Sequence, residues 1–159
     1  MKKFIALDVD DYKLGKGITP VNLVWKGNTI KDWCNEIKFS KRDVVVGHSL
    51  GAAVALIVAE RTSPKELHLY SPSPIFTETI KLLDKKNLDY FGKRRQKEVR
   101  PIPNVSCPVY LYYGTEELPM MKKTVLKIAS KLSNCKLTAL HERNHQTVIN
   151  QAGVKYQIQ

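Results

Sequence analysis

Val44-Val45-Val46-Gly47-His48-Ser49-Leu50-Gly51, followed by Ala52-Ala53-Val54-Ala55-Leu56-Ile57-Val58-Ala59, is the stretch whose reading decides the fold. The β-branched opening favours a strand, and the Ala/Leu-rich run after it favours a helix. Between them sits a G-x-S-x-G pentapeptide, which places Ser49 on a sharp strand-to-helix turn with its hydroxyl clear of both elements. Gly47 and Gly51 suit such a turn, because two closely passing elements leave no room for a Cβ at either flank. The backbone N–H of Leu50 would face the oxygen of a bound carbonyl, helped by the positive end of the helix. The bland alternative is a structural turn. A chance G-x-S-x-G in a chain this long has odds of roughly a few per cent, and the flanking strand and helix lower them.

Working outward, Phe4-Ile5-Ala6-Leu7 reads as a short buried strand ended by Asp8, Asp10 and Asp11. Gly15, Gly17 and Pro20 mark a loop, and Val21–Trp25 is a second candidate strand closed by Lys26-Gly27-Asn28. Asn28 or Thr29 would cap a helix over Ile30–Ile37, where Ile30, Trp33, Cys34 and Ile37 share one face. Val44–Val46 is the third strand, and the helix after Ser49 runs to about Arg61, before Ser63-Pro64. Glu66–Tyr70 is the fourth strand, stopped by Ser71-Pro72-Ser73-Pro74, and Ile75–Leu83 is expected to be helical. Pro108–Tyr113 is the fifth strand, ended at Gly114. Met121–Leu132 is a helix with Val125, Ile128, Ala129 and Leu132 on one face. Cys135–Leu140 is the sixth strand, and a polar loop, His141 to His145, leads to a last short helix.

Strands alternating with helices on short connections imply a three-layer α/β arrangement: a mainly parallel, about six-stranded sheet covered on both faces. Right-handed crossovers then gather the loops after the strands at one rim, where ligands bind. Ser49, Glu116, Glu117 and His145 all follow candidate strands, so they converge on that rim.

The 159 residues suffice for a single domain with a real core. Hydrophobic residues are 43%, and no apolar run approaches the roughly 20 residues needed to span a bilayer. The opening Met1-Lys2-Lys3-Phe4-Ile5-Ala6-Leu7-Asp8 is too short in apolar residues for a secretory leader, which leads to an expectation of a cytoplasmic protein. Cys34, Cys107 and Cys135 are widely spaced and read as buried thiols, with neither zinc nor a disulfide framework indicated.

The net charge of +11 suits nucleic acid, another polyanion, anionic lipid or an acidic small molecule, or plain solubility, without choosing among them. It concentrates in Asp84–Arg100, where seven basic residues (Lys85, Lys86, Lys93, Arg94, Arg95, Lys97, Arg100) face three acidic ones, with Leu88, Tyr90 and Phe91 between them. This segment, bounded at about 84–104, is either a basic cap over a pocket, a polyanion contact or a solvated connection. The charge and the site leave the oligomeric state open.

A serine hydroxyl is a poor nucleophile at neutral pH, so it needs a base within hydrogen-bond reach and a carboxylate to orient that base. Histidine suits the role. His48 adjoins Ser49, so its side chain points away and braces the turn. His68 lies within a strand and reads as a packed core residue. His141 and His145 follow the last strand, and His145, deeper in the loop and just before a helix, is preferred.

Val44–Gly51, Pro108–Gly114 and Asn144-His145 together resemble the α/β-hydrolase superfamily. In that family an apolar strand ending in glycine carries the triad acid three residues later. The resemblance therefore implies Glu117, with Glu116 the alternate, where family members usually have aspartate. It spans about Phe4 to Ile149 and implies a reduced sheet of six strands instead of eight. The His-Gly usually found after the first core strand is replaced by Asp8-Val9-Asp10, so Val9 or Asp10 is the positional candidate for the second oxyanion donor beside Leu50. The activity implied is serine hydrolysis of an ester or thioester on a small acyl substrate, an acidic one if the basic segment acts, with no cofactor and no metal. The competing expectation is a non-catalytic module of the same fold whose basic face meets a polyanion or a partner.

Overall fold

The structure, a computed structural model, describes residues 1–24, 28–150 and 153–157, and for 91, 93 and 94 the backbone only. Six strands form one sheet: β1 (Lys2–Leu7), β3 (Ile18–Leu23), β4 (Val44–His48), β5 (Glu66–Tyr70), β6 (Val109–Gly114) and β7 (Cys135–Leu140). Their order across the sheet is β3-β1-β4-β5-β6-β7, and every pairing is parallel. The chain builds outward from β1 to β3, then returns past β1 to start β4. That reversal opens a crevice beyond the carboxyl ends of β1 and β4, and Ser49 stands at the end of β4.

The two faces of the sheet are covered unequally. Ile5, Val45, Leu67, Leu69, Val109 and Leu111 face a layer made of α1 (Ile30–Glu36), α2 (Leu50–Thr62) and α6 (Pro119–Lys131). Thr29 and Asp32 start α1 with reciprocal side-chain-to-backbone hydrogen bonds of 3.0 and 2.8 Å. Helix α2 lies at the centre of this layer, and Leu50 through Ala59 are all buried. Its small, apolar composition follows from having neighbours on every side. On the opposite face Phe4, Ala6, Val46 and Tyr70 pack against Val148, Ile149 and Val154. That cover consists of 3₁₀ turns at Val9–Asp11 and Thr147–Ile149 and a two-stranded antiparallel ribbon of β2 (Tyr12–Leu14) and β8 (Val154–Tyr156).

Several elements differ from expectation. The second strand is Ile18–Leu23 instead of Val21–Trp25, so Pro20 lies inside a strand and not in a loop. β3 is an edge strand, where a missing N–H costs no ladder bond on the open side. Trp25, Lys26 and Gly27 lie outside the described residues. The expected helix over Ile75–Leu83 shrinks to α3 (Thr77–Ile80), because Phe76 is extended and bridges to Arg100, with Thr77 N–H donating to the Arg100 carbonyl at 2.9 Å. The segment from Asp84 carries two short helices, α4 (Lys85–Phe91) and α5 (Lys93–Gln96).

Cys34 and Cys107 are buried, whereas Cys135 is half-buried because β7 is the other sheet edge. Burial pushes all three thiols up. His68 is not enclosed in the core: its side chain is 22% exposed on the thinly covered face. There it stacks on Tyr110 and hydrogen-bonds Glu66 and Tyr112. Among the described residues, no helix is long and apolar enough to cross a membrane.

Candidate active site

Ser49 adopts φ 55°, ψ −118°, a conformation L-residues avoid and one that holds its hydroxyl off both β4 and α2. The turn is stitched in place by Ser49 N–H to the Tyr70 carbonyl at 3.0 Å and by Ser73 N–H to the Ser49 carbonyl at 3.0 Å. The flanking glycines are sterically required. A Cβ on Gly47 would lie 2.6 Å from the Ala52 Cα, and one on Gly51 would collide with the Ile5 carbonyl of β1.

From Ser49 a hydrogen-bonded chain runs across the rim. Ser49 Oγ lies 3.0 Å from His145 Nε2, and His145 Nδ1 lies 2.8 Å from Glu117 Oε1. A carboxylate only accepts, so Nδ1 carries the ring hydrogen and Nε2 is left to accept from the serine. Glu117 Oε2 in turn accepts from Ser71 Oγ at 2.5 Å and from the Gly114 N–H at 2.7 Å. The loop bearing His145 comes this close because Gly114 has no side chain: a Cβ there would strike the Arg143 carbonyl. Asn144 shapes that loop by accepting from the N–H groups of Gln146 and Thr147, each at 2.9 Å.

Glu117 is 5% exposed. Burial alone would push its carboxyl up, but hydrogen bonds from His145, Ser71 and Gly114 outweigh it and hold the group below the ordinary carboxylate range. An ionised carboxylate is therefore fixed behind His145. Glu116, the alternate acid, is exposed on the pocket wall, with only its backbone N–H tied to the Arg143 carbonyl. His141 is exposed, with its Nε2 3.4 Å from Glu142 Oε1.

No family model matches this sequence, and no curated protein matches it either. Its architecture does match solved structures. Alpha/beta hydrolase domain-containing protein 10 from mouse aligns with a TM-score of 0.65 at 13% identity, covering 96% of this chain and 84% of that one. An alpha/beta fold family hydrolase from Bacillus anthracis str. Sterne gives 0.61 at 13%, covering 94% and 87%. Est1E from Butyrivibrio proteoclasticus gives 0.61 at 14%, covering 91% and 79%. The chain has the α/β-hydrolase fold.

Within this fold a pocket of about 500 Å³ opens over Ser49 and His145. Its walls are largely apolar: Pro74, Leu83, Leu118, Met120 and Met121, with Tyr90 of α4 at the mouth. Asn87 and Tyr90 are the contribution of the 85–100 segment, and among the described residues no Lys or Arg lines the pocket. Leu50 is the first residue of α2, so its N–H has no acceptor within the helix. Val9 is committed elsewhere: its N–H donates to Asn22 Oδ1 at 3.2 Å, which removes it as a ready second oxyanion donor. Asp10, the other positional candidate, lies in the 3₁₀ turn after β1. Among the described residues, no cluster of three or more His, Cys, Asp or Glu side chains could hold a metal ion.

Ser71 and Ser73 were not singled out from the sequence. Ser71 bonds Glu117, and Ser73 Oγ lies 3.2 Å from Ser49 Oγ. Their signal was available: both follow a strand on the rim that carries Ser49.

Proposed function

We propose that this chain is a serine hydrolase acting on a neutral ester or thioester with an apolar acyl group. The observation that carries the reading is the unbroken chain from Ser49 through His145 to Glu117, at 3.0 and 2.8 Å. Ser49 Oγ attacks the acyl carbonyl carbon while its proton passes to His145 Nε2. Glu117 stabilises the imidazolium so formed. The Leu50 N–H and the positive end of α2 stabilise the oxyanion. The intermediate collapses when His145 returns the proton to the departing oxygen or sulfur, leaving the acyl group on Ser49. Water then attacks that ester with His145 as base, and the carboxylic acid leaves.

The apolar lining supports an uncharged acyl group, and Glu116 at the wall disfavours a second carboxylate in the substrate. The fold shared with the alpha/beta fold family hydrolase from Bacillus anthracis supports this chemistry. The test compares p-nitrophenyl butyrate with the p-nitrophenyl monoester of succinate. The expected kcat/KM is at least about tenfold higher for the butyrate, from burying the chain and avoiding charge repulsion. Preference for the succinate ester would overturn the substrate class. No turnover of either ester, with retention on heparin that falls steeply with salt, would favour a polyanion-binding module instead.

A further inference from the structure

His48 and Ser49 are neighbours, yet they serve opposite sides of the sheet rim. Side chains alternate along a strand, so the His48 ring turns to the face carrying the β2–β8 ribbon. It is 3% exposed there. An imidazole so enclosed is costly unless its nitrogens find partners. Both do: Nε2 lies 2.6 Å from the carbonyl oxygen of His145, and Nδ1 lies 2.6 Å from the hydroxyl of Tyr12 in β2.

The protons can be assigned. A carbonyl only accepts, so His48 Nε2 donates to it. Burial and the neighbouring His145 push the His48 pKa down to about 3, so the ring is neutral and Nδ1 has a lone pair to offer. Burial pushes the Tyr12 phenol up, so it keeps its hydrogen and donates. The relay therefore runs in one direction, from Tyr12 to His48 to the backbone of His145.

His145 needs such an anchor. Its ring must present Nε2 to Ser49 and Nδ1 to Glu117 together, yet its side chain is 33% exposed and residues 141–144 of its loop are exposed. We propose that Tyr12 and His48 are positioning residues, which hold the His145 carbonyl so that its ring stays within reach of Ser49. The inference rests on the hydrolase reading of Ser49, His145 and Glu117. It also gives the ribbon a task. Tyr12 pairs in register with Tyr156 of β8, and its ring packs edge-on against Tyr156 at 5.4 Å and Phe4 at 4.9 Å. If Tyr12 merely filled space, phenylalanine would serve as well.

Three variants separate the two roles. Tyr12→Phe keeps the ring and loses the donor, His48→Leu removes both nitrogens, and His48→Gln keeps one N–H that can reach the carbonyl. The first readout is the second-order rate at which an aryl fluorophosphonate labels Ser49 across the pH range. Tyr12→Phe and His48→Leu should slow labelling about tenfold or more, and His48→Gln should recover part of the loss. The second readout is the imidazole nitrogen–proton NMR spectrum, which needs no turnover. The intact protein should show His48 with its hydrogen on Nε2 and His145 with its hydrogen on Nδ1. In Tyr12→Phe the His145 Nδ1–H signal should broaden or shift as its contact with Glu117 loosens. Labelling within twofold of the parent in both Tyr12→Phe and His48→Leu would overturn the proposal. So would an unmoved His145 signal in Tyr12→Phe, whether or not the parent protein reacts at Ser49. Failure of the parent to react would count against the hydrolase reading alone.

Discussion

The turn between β4 and α2 and the segment from Asp84 to Arg100 sit on the same rim, and they are built in opposite ways. At the turn, a backbone carbonyl lies where a Gly51 side chain would go, and ten consecutive residues of α2 are buried. In the basic segment Gly92, at φ +86°, has nothing within 4 Å of where its Cβ would stand, and Tyr90 is 92% exposed. Among the described residues of that segment Arg95 is the buried one, and with Glu98, which accepts from the Ile30 N–H at 2.9 Å, it ties the segment to α1. Its guanidinium donates to the Asn28 carbonyl at 2.8 Å and to Glu98 at 3.3 Å, and it stacks over Trp33 at 4.9 Å. The contrast teaches that Ser49 is set on tightly packed backbone, while the pocket mouth is carried by a lightly held piece that can differ in sequence at little cost to the fold.

The largest expected effect is Gly51→Val. The new side chain would strike the Ile5 carbonyl, and β1 cannot yield without moving the sheet. A loss above about 4 kcal/mol in denaturant unfolding, or failure to accumulate folded protein, is expected. A loss under about 1 kcal/mol would break the comparison.

Acid comes next. Below about pH 6.5 the unfolded chain binds a proton that folded His48, with its pKa near 3, refuses. Stability conferred by this group is complete above 6.5 and falls by about 1.4 kcal/mol per pH unit down to about 3. Glu117, whose folded pKa is also lowered, adds to the loss as pH drops below its ordinary value of 4.5. Unfolding free energies measured from pH 7 to pH 4 should show this slope, and His48→Gln should flatten its upper part. A slope unchanged by that substitution would place the acid sensitivity elsewhere.

Arg95→Ala should cost about 2–4 kcal/mol, since it takes the cation away from Glu98, which still accepts from the Ile30 N–H, and uncovers Trp33. Labelling of Ser49 should nevertheless persist in the folded fraction. The smallest effect is Gly92→Ala, at about 1–3 kcal/mol from backbone strain alone. A cost matching that of Gly51→Val would mean the two regions are equally constrained.

Much of this architecture is written locally. β5 and β7 carry compact apolar or alternating runs with clear breakers, and their observed bounds coincide with the sequence expectation. The six-stranded parallel sheet followed from strands and helices alternating on short connections. What escaped depends on distant partners. β2 and β8 are three residues each, too short for a periodic signal, and are strands only because they pair with one another. Phe76 is extended because Arg100 lies alongside it, and Pro20 is tolerated because β3 happens to be an edge. At the site, topology alone was enough to bring Ser49, His145 and two glutamates to one rim. Separating Glu117 from Glu116 needed burial, which adjacent residues in a loop do not reveal. Nothing in Asp8-Val9-Asp10 shows that the Asn22 side chain occupies the Val9 N–H.

The most direct test of Ser49 as an activated nucleophile is reaction with an aryl fluorophosphonate followed by intact-protein mass. The serine oxygen should displace fluoride and leave one phosphonyl group, mapped to Ser49, in the parent protein and none in Ser49→Ala. An unlabelled parent protein, or a label that survives Ser49→Ala, would contradict the account.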